Sequence, residues 1–125
     1  MPHVLIIEDS YLFGQLVADI ARLAGARTVD IVETQQAAEE SAAKQFPTLI
    51  IADVKLSQGS GPAAVRQLRR RVRHVPALFV TGNAGECQDY AQTDTVLEKP
   101  VSVERLLDVI TSLLSKAVAA NAEHE

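Results

Sequence analysis

Short runs of branched apolar residues alternate along this chain with segments whose apolar positions recur at helical spacing, and no linker-like stretch interrupts them. Such alternation predicts repeated βα units around a parallel sheet, whose strands are buried on both faces. His3 to Glu8 is the first predicted strand, and Leu12, Leu16, Ile20 and Leu23 mark the inward face of a helix that Gly25 stops. Thr28 to Val32 is a weaker second strand. Thr34 is placed to cap an alanine-rich helix reaching about Gln45, and Pro47 breaks it before the third strand, Thr48 to Asp53. Gly61 and Pro62 open a third helix that turns Val65, Leu68 and Val72 inward. Ala77 to Thr81 is the fourth strand, Gly85 to about Gln92 a short and poorly patterned helix, and Thr95 to Glu98 the fifth strand. After Pro100, a final helix from Ser102 faces Leu106, Ile110, Leu113 and Leu114 inward. Residues 1–118 then make one domain, and residues 119–125 a polar, frayed tail.

A (βα)5 chain of this kind predicts an α/β flavodoxin-like, doubly wound sheet in the order 2-1-3-4-5, with strands 1 and 3 adjacent where the winding reverses. Ligands of open α/β sheets bind outside the carboxyl ends of the strands at that point. The stretch LIIEDS, Leu5 to Ser10, ends the first strand with Glu8 and Asp9, and Asp53 ends the third. Ionised acids are costly to bury and repel one another when crowded. A hard divalent cation with oxygen ligands relieves both penalties. Mg²⁺ fits best, because it takes one or two carboxylates and keeps water and phosphate oxygens as its other ligands. Thr81 ends the fourth strand with a hydroxyl donor, and Lys99 follows the fifth with a compact cation suited to a phosphoryl group.

Composition narrows the partners. The 125 residues suffice for one core, and a net charge of −4 with a pI near 5.3 argues against binding nucleic acid or an anionic membrane surface. Proteins and small ions remain. The single cysteine, Cys87, excludes an internal disulfide, and the absence of a signal-like segment or a long apolar run predicts a cytoplasmic protein. Two motifs are set aside. GSGPAA, Gly59 to Ala64, matches a dinucleotide fingerprint, but it lies well past a strand end and no acid stands between Asp53 and Glu86 to meet a ribose. RRRVRH, Arg69 to His74, reads as the solvated face and dipole-compensating end of the third helix. The three histidines lack metal-ligand spacing.

Taken together, LIIEDS, LIIADVKLSQGSG with a glycine eight positions after Asp53, FVTGNA and VLEKP resemble the receiver domains of two-component response regulators, over Pro2 to about Lys116. The resemblance implies a signalling switch rather than an enzyme acting on other substrates. Asp53 would accept a phosphoryl group from a phosphohistidine on a sensor histidine kinase or histidine phosphotransfer protein, and would lose it slowly by self-dephosphorylation. It also implies Mg²⁺ held by Asp9, Asp53 and the backbone carbonyl of Lys55, with Glu8 acting mostly through water. Thr81 would hydrogen-bond a phosphoryl oxygen, Lys99 would pair with its charge, and the Lys99–Pro100 peptide would be cis. An output protein would be controlled by conformational change, with the domain a monomer or a dimer formed on phosphorylation. Val96 stands where many members carry a rotating aromatic, Ser57 where many carry proline, and Lys55 is an unusual cation beside the acceptor. The alternative is a pseudo-receiver, an interaction module of the same fold that works without phosphate. The intact set of Asp9, Asp53, Thr81 and Lys99 favours the switch.

Overall fold

The computed structural model describes residues 2–82 and 94–123. Its five strands form one parallel sheet in the order β2-β1-β3-β4-β5, as the alternation of elements predicted. The elements are β1 (His3–Ile7), α1 (Tyr11–Leu23), β2 (Thr28–Val32), α2 (Gln35–Lys44), β3 (Leu49–Ala52), α3 (Gly61–Leu68), β4 (Ala77–Thr81), β5 (Thr95–Glu98) and α4 (Val103–Glu123). Cys87 and the short helix expected over 85–92 lie outside the described residues.

Strand alternation divides the core into two layers. Val4, Ile6, Leu49, Ile51, Leu78 and Val80 face α1 and α4 on one side of the sheet. Leu5, Ile7, Ile50, Ala52, Ala77 and Phe79 pack on the other side with Ala38 and Ala42 of α2 and Val65 and Leu68 of α3. Every residue of β1, β3 and β4 is buried, which is why these strands read as unbroken apolar runs. Helix starts follow their capping residues. Ser10, Thr34 and Ser60 each accept a hydrogen bond from the backbone N–H three residues on. Gly25, at φ +115°, ends α1: its N–H donates to the Arg22 carbonyl and that of Ala26 to the Ala21 carbonyl, the paired closure that a left-handed residue permits.

Two expectations are corrected. Helix α1 does not turn its leucine stripe inward. Gly14, Val17, Ala18, Ile20 and Ala21 face the sheet, while Leu12 and Leu23 stand 79% and 75% exposed and Leu16 is exposed as well. Small side chains bring the helix axis close to the strands, and of the expected stripe only Ile20 is shared. Helix α3 stops at Leu68, so Val72 lies beyond it and is exposed rather than inward. Its capping residue Arg69 turns back to a buried partner instead of joining a solvated face. Helical backbone of α4 continues through Glu123. Among the described residues no helix is long and apolar enough to cross a membrane.

Candidate functional site

Strand register brings the predicted groups together. Ile7 pairs with Ala52, Ala52 with Phe79, and Thr81 with Glu98, so the residues that follow each strand emerge at one edge of the sheet. Strand-type hydrogen bonds run one residue further. Glu8 N–H donates to Val32 (2.9 Å), Asp53 N–H to Ile7 (3.0 Å) and Lys99 N–H to Thr81 (2.7 Å), which holds the backbones of the site residues to the sheet. The Lys99–Pro100 peptide is cis.

Glu8, Asp9 and Asp53 each offer a carboxylate oxygen, and the three oxygens lie within 4.8 Å of one another. Glu8 is 4% exposed, Asp53 is half-buried and Asp9 faces solvent. The Lys99 ammonium donates to Glu8 Oε1 at 3.1 Å and to Asp53 Oδ2 at 3.3 Å. Burial pushes the Glu8 carboxyl up to about 7, against the pull of the Lys99 hydrogen bond and with added repulsion from Asp53. Burial acts against the Lys99 charge too, but its contacts with Glu8 and Asp53 outweigh this and raise its pKa. Lys99 thus pairs with two of the three clustered acids. The second oxygen of Glu8, Oε2, is buried with no hydrogen-bond partner among the described residues, which is costly for a carboxylate unless a cation or a proton balances it. An oxygen-only donor set with surplus negative charge and an orphaned buried oxygen fits a hard divalent ion such as Mg²⁺.

Thr81 is buried at the end of β4, on the same edge, and Lys55 is exposed in the loop after β3, where it forms a bridge with Ser60. That loop holds two features that sequence reading missed. The backbone N–H of Ser57 donates to Asp9 Oδ2 at 2.8 Å, a bond that proline at this position would forbid. Gly61 lies so close to the end of β3 that a Cβ there would sit 1.9 Å from the Asp53 carbonyl oxygen. Its N–H donates to the Val54 carbonyl at 3.1 Å, closing the loop immediately behind Asp53. The glycine was visible in the sequence as part of a motif. Its steric reason was not.

Comparison with known proteins agrees with this geometry. The family model described as "Response regulator receiver domain" matches residues 4–111. The polar-differentiation response regulator DivK of Brucella ovis is 29% identical, over 91% of this chain and 97% of its own. Among solved structures, the receiver domain of the PhyR response regulator of Erythrobacter litoralis superimposes with a TM-score of 0.77 at 26% identity, covering 94% of this chain and 89% of that one. A two component transcriptional regulator AraC from Clostridium phytofermentans ISDg shares the fold at a TM-score of 0.86 and 17% identity, covering 98% of this chain and 99% of that one.

Proposed function

Because the chain belongs to the response regulator receiver-domain family, a family of two-component signalling switches, we propose that it works by accepting a phosphoryl group on Asp53. The carrying observation is that Lys99 bridges Asp53 and Glu8 at the edge where all three acids converge. In the proposed step an Asp53 oxygen attacks the phosphorus of a phosphohistidine on a kinase or phosphotransfer partner. An O–P bond forms, the N–P bond breaks, and the imidazole nitrogen leaves with its electron pair. Little covalent assistance is needed, so the rest of the site acts by placement and charge. Lys99 turns its ammonium toward the phosphoryl oxygens, and the Thr81 hydroxyl donates to one of them. Asp9, Asp53 and the Lys55 carbonyl would hold Mg²⁺ directly, and Glu8 through water. When bound, the ion neutralises charge on the acids and on the transferred group.

The product is an acyl phosphate, which hydrolyses slowly and so suits a reversible signal passed to an output protein in the cytoplasm. Incubation with Mg²⁺ and acetyl phosphate should add one acid-stable, base-labile phosphoryl group, read by intact mass. Asp53→Asn should abolish it without unfolding the chain. An unchanged adduct yield in folded Asp53→Asn would overturn the assignment, and no adduct on the wild type would leave the pseudo-receiver reading in its place.

A further inference from the structure

We propose that Phe13, in the first turn of α1, is a positioning residue for this phosphoryl transfer, its ring face seating the Lys99 ammonium between Glu8 and Asp53. The inference rests on Asp53 being the acceptor. Lys99 Nζ lies 4.3 Å from the Phe13 ring centroid, well inside the range of about 6 Å over which a cation is attracted to an aromatic face. An ammonium has three N–H donors and accepts nothing. The carboxylates take two directions, at 3.1 and 3.3 Å, and the ring covers another side.

Two properties make the ring more than a wall. First, it is fixed. The Phe13 N–H donates to the Ser10 side chain that caps α1, and Phe13 packs against the core layer beneath α1 and α4. Lysine has a long flexible stem, and a fixed contact near its end removes positions from which the ammonium cannot reach Asp53. Second, attraction to a ring face is broad in direction, whereas a hydrogen bond is not. When Asp53 becomes phosphorylated, the ammonium must swing from the carboxylate oxygen to a phosphoryl oxygen. Contact with Phe13 survives that pivot, so Lys99 can change partners without losing its seat. An aliphatic side chain of similar bulk would preserve packing but not this attraction.

The test compares Phe13→Leu with Phe13→Trp at saturating Mg²⁺ and acetyl phosphate. Phe13→Leu should slow adduct formation about three- to tenfold, with Mg²⁺ affinity unchanged, and Phe13→Trp should restore most of the rate. In the wild type and in Phe13→Trp the Lys99 ε-methylene protons should show an upfield ring-current shift, absent from Phe13→Leu. A purely packing role predicts the reverse order, since leucine disturbs the core less than tryptophan. If folded Phe13→Leu phosphorylates at the wild-type rate, or if both variants are equally slow, the inference fails while the Asp53 assignment stands. No adduct on the wild type would overturn both.

Discussion

At the amino-terminal end of β4 and β5, the Arg69 guanidinium grips the Asp94 carboxylate with two hydrogen bonds, at 2.6 and 3.0 Å, and donates twice more to the Val75 carbonyl. At the carboxyl end of the same sheet, Lys99 is shared between two of three clustered acids, and a buried oxygen of Glu8 has no hydrogen-bond partner among the described residues. Both ends pull charge out of water. The first balances one cation against one anion in a bidentate geometry and loses little. The second leaves negative charge in excess. Stability alone gives a fold no reason to gather three acids there, so the imbalance marks that end as the candidate site.

The comparison makes opposite demands on substitution. Arg69→Met should cost about 2–3 kcal/mol in denaturant unfolding, because the Asp94 carboxylate, 6% exposed, and the Val75 carbonyl each lose two hydrogen bonds from the guanidinium. Asp53→Asn should leave stability unchanged or raise it, by removing one of the repelling acids. If both substitutions destabilise equally, the two ends do not differ in the way described.

The pH dependence offers a second separation. Glu8 has its folded pKa raised to about 7 from an ordinary 4.5, so the folded state holds the extra proton between these values. The stabilising influence of that proton is complete below about 4.5 and disappears as pH rises through 7 in metal-free solution. At the other end, burial lowers the pKa of His3, despite the opposing pulls of Asp30 and Thr28. A lowered base behaves in the opposite sense: protonating His3 as pH falls below about 6.5 removes stability. Unfolding free energies measured from pH 4 to 8 should therefore show Glu8→Gln gaining on the wild type as pH rises through 4.5–7. Parallel curves would contradict the charge state assigned to Glu8.

A smaller effect comes from Mg²⁺. A concentration ten times the dissociation constant should stabilise the wild type by about 1.4 kcal/mol, seen as a higher melting temperature. Asp9→Ala should weaken this response more than Glu8→Ala, and Arg69→Met should leave it intact. Equal Mg²⁺ affinities for wild type and Asp9→Ala would show that Asp9 is not a direct ligand.

Most of the fold was legible because buried parallel strands announce themselves as branched runs, and the site was legible because acids at their ends are chemically out of place. Leu5 to Asp9 and Leu49 to Asp53 carried both signals at once. Helix α1 was misread for an identifiable reason. Counting only large apolar residues selects Leu12, Leu16 and Leu23, whereas close packing on the sheet selects Gly14, Ala18 and Ala21, which add little to a hydrophobic pattern. Arg69 was assigned to solvent because its partner lies 25 residues away, and no local rule reveals a contact at that separation. The near-contact of Gly61 with the Asp53 carbonyl likewise exists only once β3 and α3 have been folded back on each other.

The sheet order has a dynamic consequence for the site. Asp9 and Asp53 follow β1 and β3, interior strands paired on both sides, but Lys99 follows β5, which among the described residues pairs with β4 alone and is only partly buried. Amide hydrogens of interior strands exchange with solvent at rates approaching global unfolding, while an edge strand opens more often and at lower free energy. Asp53 and its neighbouring acids are thus anchored to the interior of the sheet, and Lys99 to one edge of it.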